Sequence, residues 1–288
     1  MLENRRKIAI LSDSTADLNE EFIKEYDIKF LPLHVNFGDK EYLDKVNIKN
    51  EDIFNWAETN GELAKTSAVS LGAAINLINE TLENYEKVLF FTISSKLSST
   101  FKIVQMAGEQ SHRPEDVKVI DSLNLATGIS MLILKAGDMI DKGLDIEEIE
   151  KSLDAIKDKV GTSFVIDSLK YLKMGGRCTG IEAFAGSALK LHPKIVMKNG
   201  ELGSGKKYRG QIDRVITNYS KEILENYQDY DNSAIFLTYV GVNEKLLSSI
   251  YDEVVSLNYF ENVYLIETGS VISSHCGPGT FGMIYLEK

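Results

Sequence analysis

The sequence predicts an α/β protein of two domains, and three observations carry that expectation. Short apolar runs alternate with amphipathic helical patterns through the first half, the signature of a mostly parallel sheet flanked by helices. Residues 88–93 form a near-continuous apolar run, as a strand covered on both faces requires. In the second half Asn199-Gly200 sits between two strand-like stretches and suits a tight hairpin turn, so a mixed sheet is expected there. The domains are placed at residues 1–160 and 161–288, and a chain of 288 residues with 43% hydrophobic content can bury a core in each.

Each element has its own local signal. Residues 7–11 read as a first strand, and Asp17-Leu18-Asn19-Glu20 resembles a capping box that opens a helix to about Tyr26. Residues 30–35 read as one strand. Asn50 is placed as the cap of a helix carrying Ile53, Phe54 and Ala57. Ser70 is placed as the cap of another, where Leu71, Ile75, Ile78 and Leu82 share one face. After the strand at 88–93 come a helix from about Ser99 to Gln110, a strand at 117–120, a long apolar helix at 125–142 and a charged amphipathic helix at 145–159. The second half reads as a strand from Phe164, a hairpin around Asn199-Gly200, a helix at 211–227, a strand at 234–240, a helix at 244–256 and strands at 263–267 and 282–286. The two halves are expected to pack tightly, with a ligand cleft between them.

Composition excludes several classes. The formal net charge is −11 and the sequence pI about 5.0, a poor match for nucleic-acid backbone binding. No apolar run approaches the roughly 18 residues of a membrane span, and the apolar stretch after Arg5-Arg6-Lys7 is too short for a signal peptide, so a cytoplasmic protein is expected. Cys178 and Cys276 form no metal or redox motif, and the four histidines lack zinc-ligand spacing. No metal is therefore assigned. One stretch opposes the acidic trend: seven Lys or Arg between Lys190 and Arg214 against Glu201 and Asp213, 7 − 2 = +5. It reads as a solvated hairpin and helix face, or as a docking patch for an acidic partner.

Two glycine-rich matches carry no nucleotide chemistry. Gly200 to Lys207 nearly repeats a phosphate-binding loop, but Lys207 stands where a Mg²⁺-ligating hydroxyl is required. Gly277-Pro278-Gly279-Thr280-Phe281-Gly282 has dinucleotide-loop spacing, but only six residues follow it. These glycines instead let backbone approach a neighbour closely or make a strained turn.

The informative junction is Lys87 to Thr100, where an apolar strand ends in a cluster of hydroxyls and a helix begins. Free N–H groups at a helix start carry partial positive charge, and hydroxyls add donors, so the place suits an anion. Simple capping is the competing role for Ser94, Ser95, Ser98, Ser99 and Thr100, and for Thr66-Ser67 ahead of Ser70. A serine hydrolase is a rival built from the same residues, with Ser98 as nucleophile, His275 as base and Asp13 or Asp121 as orienting group. The G-x-S-x-G elbow is absent around Ser98. A carrier of another anionic ligand is the third reading.

Five segments in order give the chain a resemblance over nearly its whole length. They are Ser12-Asp13-Ser14-Thr15-Ala16-Asp17-Leu18, Thr66-Ser67-Ala68-Val69-Ser70, Ile93 to Thr100, Leu169 to Arg177 with Gly175-Gly176-Arg177, and His275-Cys276-Gly277-Pro278-Gly279. The chain resembles the DegV family, fatty-acid-binding proteins that serve as binding subunits of bacterial fatty acid kinase. The resemblance implies two α/β domains with an acyl chain buried between them. By position it implies that Thr66 and Ser98 hold the fatty acid carboxylate with His275 beside it, supplying a counter-charge if protonated. Ser67, Ser95 and Arg177 would support the head-group loop. No residue of this chain would be catalytic. A separate kinase subunit would bring ATP and Mg²⁺ and phosphorylate the carboxylate to an acyl phosphate, docking on Lys206, Lys207 and Arg209. The long-chain fatty acid would be the ligand, no cofactor is implied, and the free chain is expected to be monomeric. The chain departs from the family pattern at Ala68, Val69, Ser99 and His192, and its basic run after the hairpin is thinned to Lys206-Lys207-Tyr208-Arg209. The hydroxyl ligands are intact.

Overall fold

The computed structural model describes residues 7–177 and 191–288, so Cys178 and Lys190 lie outside the described residues. It is a two-domain α/β fold organised on three sheets. The first is fully parallel, with β1 (Ile8–Asp13) at its centre between β2 (Lys29–Leu31) and β6 (Lys87–Thr92), and β7 (Val117–Asp121) beyond β6. Its central strands are covered on both faces, as the apolar run predicts. Val88, Leu89, Phe90 and Phe91 are all fully buried. Side-chain alternation then divides them: Ala9, Leu11, Val88 and Phe90 face one core, and Ile8, Ile10, Leu89 and Phe91 face another.

The first of these cores is closed by α2 (Asn50–Asn60), α3 (Leu71–Leu82) and α4 (Thr100–Glu109). The second holds α5 (Thr127–Asp141) and α6 (Ile146–Ile156). Helix α5 is apolar nearly all round and is shared, touching β6 of the parallel sheet and three strands of the mixed one. That six-stranded sheet runs in the order β10 (Glu201–Arg209), β9 (Leu191–Lys198), β8 (Val160–Val165), β13 (Thr280–Leu286), β11 (Ala234–Val240), β12 (Asn262–Glu267). Only β11 and β12 pair in parallel. Helices α8 (Ile212–Leu224) and α9 (Glu244–Ser256) cover its other face through a third core. Asn199 and Gly200 both adopt left-handed φ, +51° and +80°, and make the hairpin turn expected of them.

Three local expectations are corrected. Residues 30–35 are not one strand. Pro32 has no N–H for a ladder, and the chain breaks there into β2 and a separate β3 (His34–Phe37). Strand β3 pairs with β4 (Lys40–Leu43) and β5 (Lys65–Ser67) in a small antiparallel sheet whose short members carry little apolar periodicity. Asp17 does not cap α1 (Glu20–Glu25); Asn19 does, accepting from the Phe22 N–H. Asn50 is the first residue of α2 rather than its cap, and its amide donates to the Thr268 carbonyl. Ser70 caps α3 as expected, accepting from the Ala73 N–H.

Two short helices lay outside the periodicity reading: α7 (Lys170–Met174) and α10 (Ser270–Cys276). Both build the site.

Candidate functional site

Four segments converge on one cavity of about 310 Å³. Strand β5, pinned to β3 by the Val35–Thr66 pairing, delivers Thr66. The turn between β6 and α4 delivers Ser98 and Ser99, α7 and the following glycines deliver Leu172 and Arg177, and α10 delivers Val271, Ile272, His275 and Cys276. Apart from Ser67 the remaining wall is apolar, with Leu33, Ile93, Leu97, Leu125, Phe164 and Leu202 drawn from both large sheets and their loops.

Polar groups gather at one part of that wall. Thr66 Oγ1 lies 2.7 Å from His275 Nε2. Ser98 Oγ accepts from the Thr100 N–H at 3.2 Å and shares a hydrogen with the Thr100 hydroxyl at 2.9 Å, so it satisfies the first free N–H of α4. Arg177 donates through Nη1 to the Gly175 carbonyl at 2.7 Å and through Nη2 to the Leu97 carbonyl at 3.3 Å, tying the α7 loop to the Ser98 turn. Burial, and secondarily the Arg177 charge, push the His275 pKa down to about 4. The neutral imidazole is therefore favoured near pH 7, and the Arg177 guanidinium carries the formal charge beside it. Burial also pushes the Cys276 thiol up to about 12, so this cavity wall is uncharged there.

The first segment of the resemblance, Ser12 to Leu18, builds the scaffold around the site. Asp13 accepts from the Ile93 N–H at 2.7 Å and from the Thr15 N–H, fixing the point where β6 enters the hydroxyl turn. Asp44 accepts from the Ser270 and Val271 N–H groups, and Asp17 from the Gly269 N–H, so two carboxylates cap α10. Lys45 pairs with Asp17 at 2.9 Å, and the Ser14 hydroxyl donates to Asp44 at 2.8 Å. Burial raises all three carboxylates, Asp44 to about 6.

The sequence-predicted residues fall into three groups. Thr66, Ser67, Ser98, Arg177 and His275 line the cavity together. Ser95 does not; it is exposed, and its N–H donates to Asp121. The described part of the basic stretch runs over β9, β10 and the start of α8, where Lys206 of β10 pairs with Glu222 at 2.6 Å and Lys194 of β9 pairs with the same carboxylate at 3.1 Å. Glu222 lies outside the stretch, so the local charge excess is smaller than its sequence suggests. The hydrolase arrangement is not built. His275 Nε2 meets Thr66 rather than Ser98, its Nδ1 has no partner among the described residues, Asp13 is spent on Ile93 and Thr15, and Asp121 on Ser95 and Leu123. Among the described residues no cluster of His, Cys, Asp or Glu is arranged to hold a metal ion, and no helix is long and apolar enough to cross a membrane.

Sequence reading missed Leu172 and Leu202 as cavity residues. Each is a single leucine on an element fixed by tertiary contacts, and no local pattern marks it.

A parallel α/β sheet joined to a mixed sheet around one cavity, polar at one end and apolar elsewhere, defines a class of two-domain ligand-binding proteins. The chain belongs to the DegV family: that family's model, described as an uncharacterised protein, matches residues 7–288. A DegV domain-containing protein of Clostridium acetobutylicum is 32% identical over 287 residues, covering 98% of this chain and 99% of that one. Among solved structures, a DegV family protein from Thermus thermophilus, described for its fatty acid binding, superposes with a TM-score of 0.87 at 27% identity, over 98% of this chain and 100% of that one. The fatty acid kinase B3 protein of Streptococcus pneumoniae, loaded with linoleic acid, shares the fold with a TM-score of 0.84 at 20% identity, over 98% of this chain and 100% of that one.

Proposed function

We propose that this chain binds a long-chain fatty acid in the cavity, holds its carboxylate between Thr66 and Ser98, and presents it to a separate kinase subunit for ATP-dependent phosphorylation to an acyl phosphate. The observation that carries the reading is the convergence of Thr66, Ser98, Arg177 and His275 on one cavity whose other lining residues are mostly apolar. The Thermus relative, described as binding fatty acid, supports it. Burial of an acyl chain contributes about 0.8 kcal/mol per CH₂, so a C16 tail brings on the order of 12 kcal/mol gross before ordering costs. Hydrogen bonds to the carboxylate add roughly 1.5–3 kcal/mol each and fix which end faces out.

The chain itself makes and breaks no covalent bond in this scheme. Thr66 and Ser98 orient the carboxylate, neutral His275 supports Thr66, and the Arg177 guanidinium lies beside them. ATP and Mg²⁺ belong to the kinase, which works with this chain in the cytoplasm. The kinase reading draws on the resemblance, and the pneumococcal fatty acid kinase protein shares the fold. Within the basic stretch Arg209 is the docking residue of choice. It is exposed, whereas Lys206 is paired with Glu222. Arg209 stands seven residues beyond cavity-lining Leu202 on β10, about 20 Å at strand rise, so it serves docking rather than charge neutralisation at the reacting oxygen.

Native mass spectrometry of freshly purified protein tests the binding reading. A carrier arrives with mass increments of acyl chains that are lost on delipidation. A protein of bare mass that takes up no added palmitate contradicts it.

A further inference from the structure

The two nitrogens of His275 face unlike neighbours. Nε2 lies 2.7 Å from the Thr66 hydroxyl, whereas Nδ1 is buried and has no hydrogen-bond partner among the described residues. Against Nδ1 stands Gly175, where a Cβ would lie 2.2 Å from that nitrogen. The polar groups of Gly175 are already engaged: its N–H donates to the Tyr171 carbonyl, and its carbonyl accepts from Arg177. A proton on Nδ1 would be a buried donor with nothing to receive it. A bare lone pair there costs less, because orphaned buried N–H groups are the rarer defect.

We propose that Gly175 is a positioning residue that holds His275 in its Nε2–H tautomer, so that the imidazole donates to Thr66 Oγ1 and leaves the Thr66 hydrogen for the ligand carboxylate. A threonine hydroxyl has one hydrogen to give. With Nε2 bare, the imidazole takes that hydrogen, and Thr66 turns only lone pairs toward an anion. With Nε2 protonated, the relay runs from Nε2–H to Oγ1 and from Oγ1–H to the carboxylate, each bond polarising the next. No proton changes hands. Burial and the neighbouring Arg177 charge keep a second proton off the ring. The close approach of Gly175 thus supplies a directional donor where the residue types alone leave the direction open. This inference rests on the carboxylate-binding reading above.

The test uses the full chain labelled with ¹⁵N-histidine, examined by NMR at pH 7 with and without palmitate. The His275 signals are assigned from their loss in His275→Gln. The expected result is a protonated Nε2 and a bare Nδ1 in both states; a proton on Nδ1, or on both nitrogens, overturns the assignment. Glutamine places an amide donor near the Nε2 position and asparagine places one near Nδ1. His275→Gln is therefore expected to bind palmitate at least tenfold more tightly than His275→Asn, and equal losses overturn the relay. Folded Gly175→Ala is expected to show a displaced ring and at least tenfold weaker palmitate binding; unchanged tautomer and affinity overturn the part given to Gly175. Should that variant fail to fold, the NMR assignment and the paired histidine variants decide. Wild-type protein that shows the Nε2–H form but takes up no palmitate contradicts the carrier reading instead, and the two failures are thereby told apart.

Discussion

Thr66 and His275 are 209 positions apart in the chain, yet the hydroxyl of one lies 2.7 Å from the imidazole of the other. One comes from a three-residue strand of the small sheet and the other from a seven-residue helix of the second half. Their contact makes the polar end of the cavity a joint product of both halves of the chain. A ligand bound there bridges the two and is sensitive to how α10 is seated.

Removing the Thr66 hydroxyl while keeping its shape is expected to weaken fatty acid binding by one charge-assisted hydrogen bond. Thr66→Val therefore loses about 1.5–3 kcal/mol of palmitate affinity, roughly tenfold to 150-fold. Calorimetric titration of delipidated protein checks this. An affinity equal to wild type removes Thr66 from the head-group site.

Ser98→Ala has two separable consequences. The lost donor weakens palmitate binding by a similar factor, and the lost acceptor for the Thr100 N–H lowers stability by about 1 kcal/mol. Titration reads the first and denaturant unfolding the second. A stability loss with full affinity means that Ser98 is an acceptor for Thr100 and nothing more.

Much of the fold was legible because it rests on local patterns. The apolar run of β6, the Ser70 cap and the Asn199-Gly200 turn each report their structure through a few neighbouring residues. The small sheet was not legible, since β4 and β5 have three or four residues of mixed polarity and are held by pairing with β3. Helix α10 was hidden for a different reason: it is nearly all buried, so it shows no polar face to set a period. The hydroxyls at Thr66 and Ser98 were identifiable through the family resemblance. A place for His275 beside them was expected on the same ground, and the fold brings it to Thr66, but the neutrality of that histidine depends on burial, which only the fold reveals.

The carboxylate that seats α10 should leave a mark on pH dependence. Burial raises Asp44 to about 6 from an ordinary value near 3.8. The folded state therefore binds more protons than the unfolded chain between these values, and the Asp44 contribution to stability falls as pH rises through that window. The shift corresponds to about 3 kcal/mol. Asp44→Asn is expected to keep the acceptor for Ser270 while flattening this part of the profile, as measured by urea unfolding from pH 4 to 7. A slope identical to wild type contradicts the assignment.

Docking and binding should separate at Arg209. The Arg209→Ala variant is expected to load palmitate normally and to support slower acyl phosphate formation by the kinase subunit at limiting concentration. A surface charge of this kind acts mainly on association, so raising its concentration should restore the rate. Normal turnover at limiting protein rejects the docking role.

The most direct measurement is a crystal structure of the chain loaded with palmitate. The account predicts a carboxylate within about 3 Å of both Thr66 Oγ1 and Ser98 Oγ, with the tail running past Leu125, Phe164 and Leu202. Density for the ligand in the opposite orientation, or outside this cavity, would contradict it.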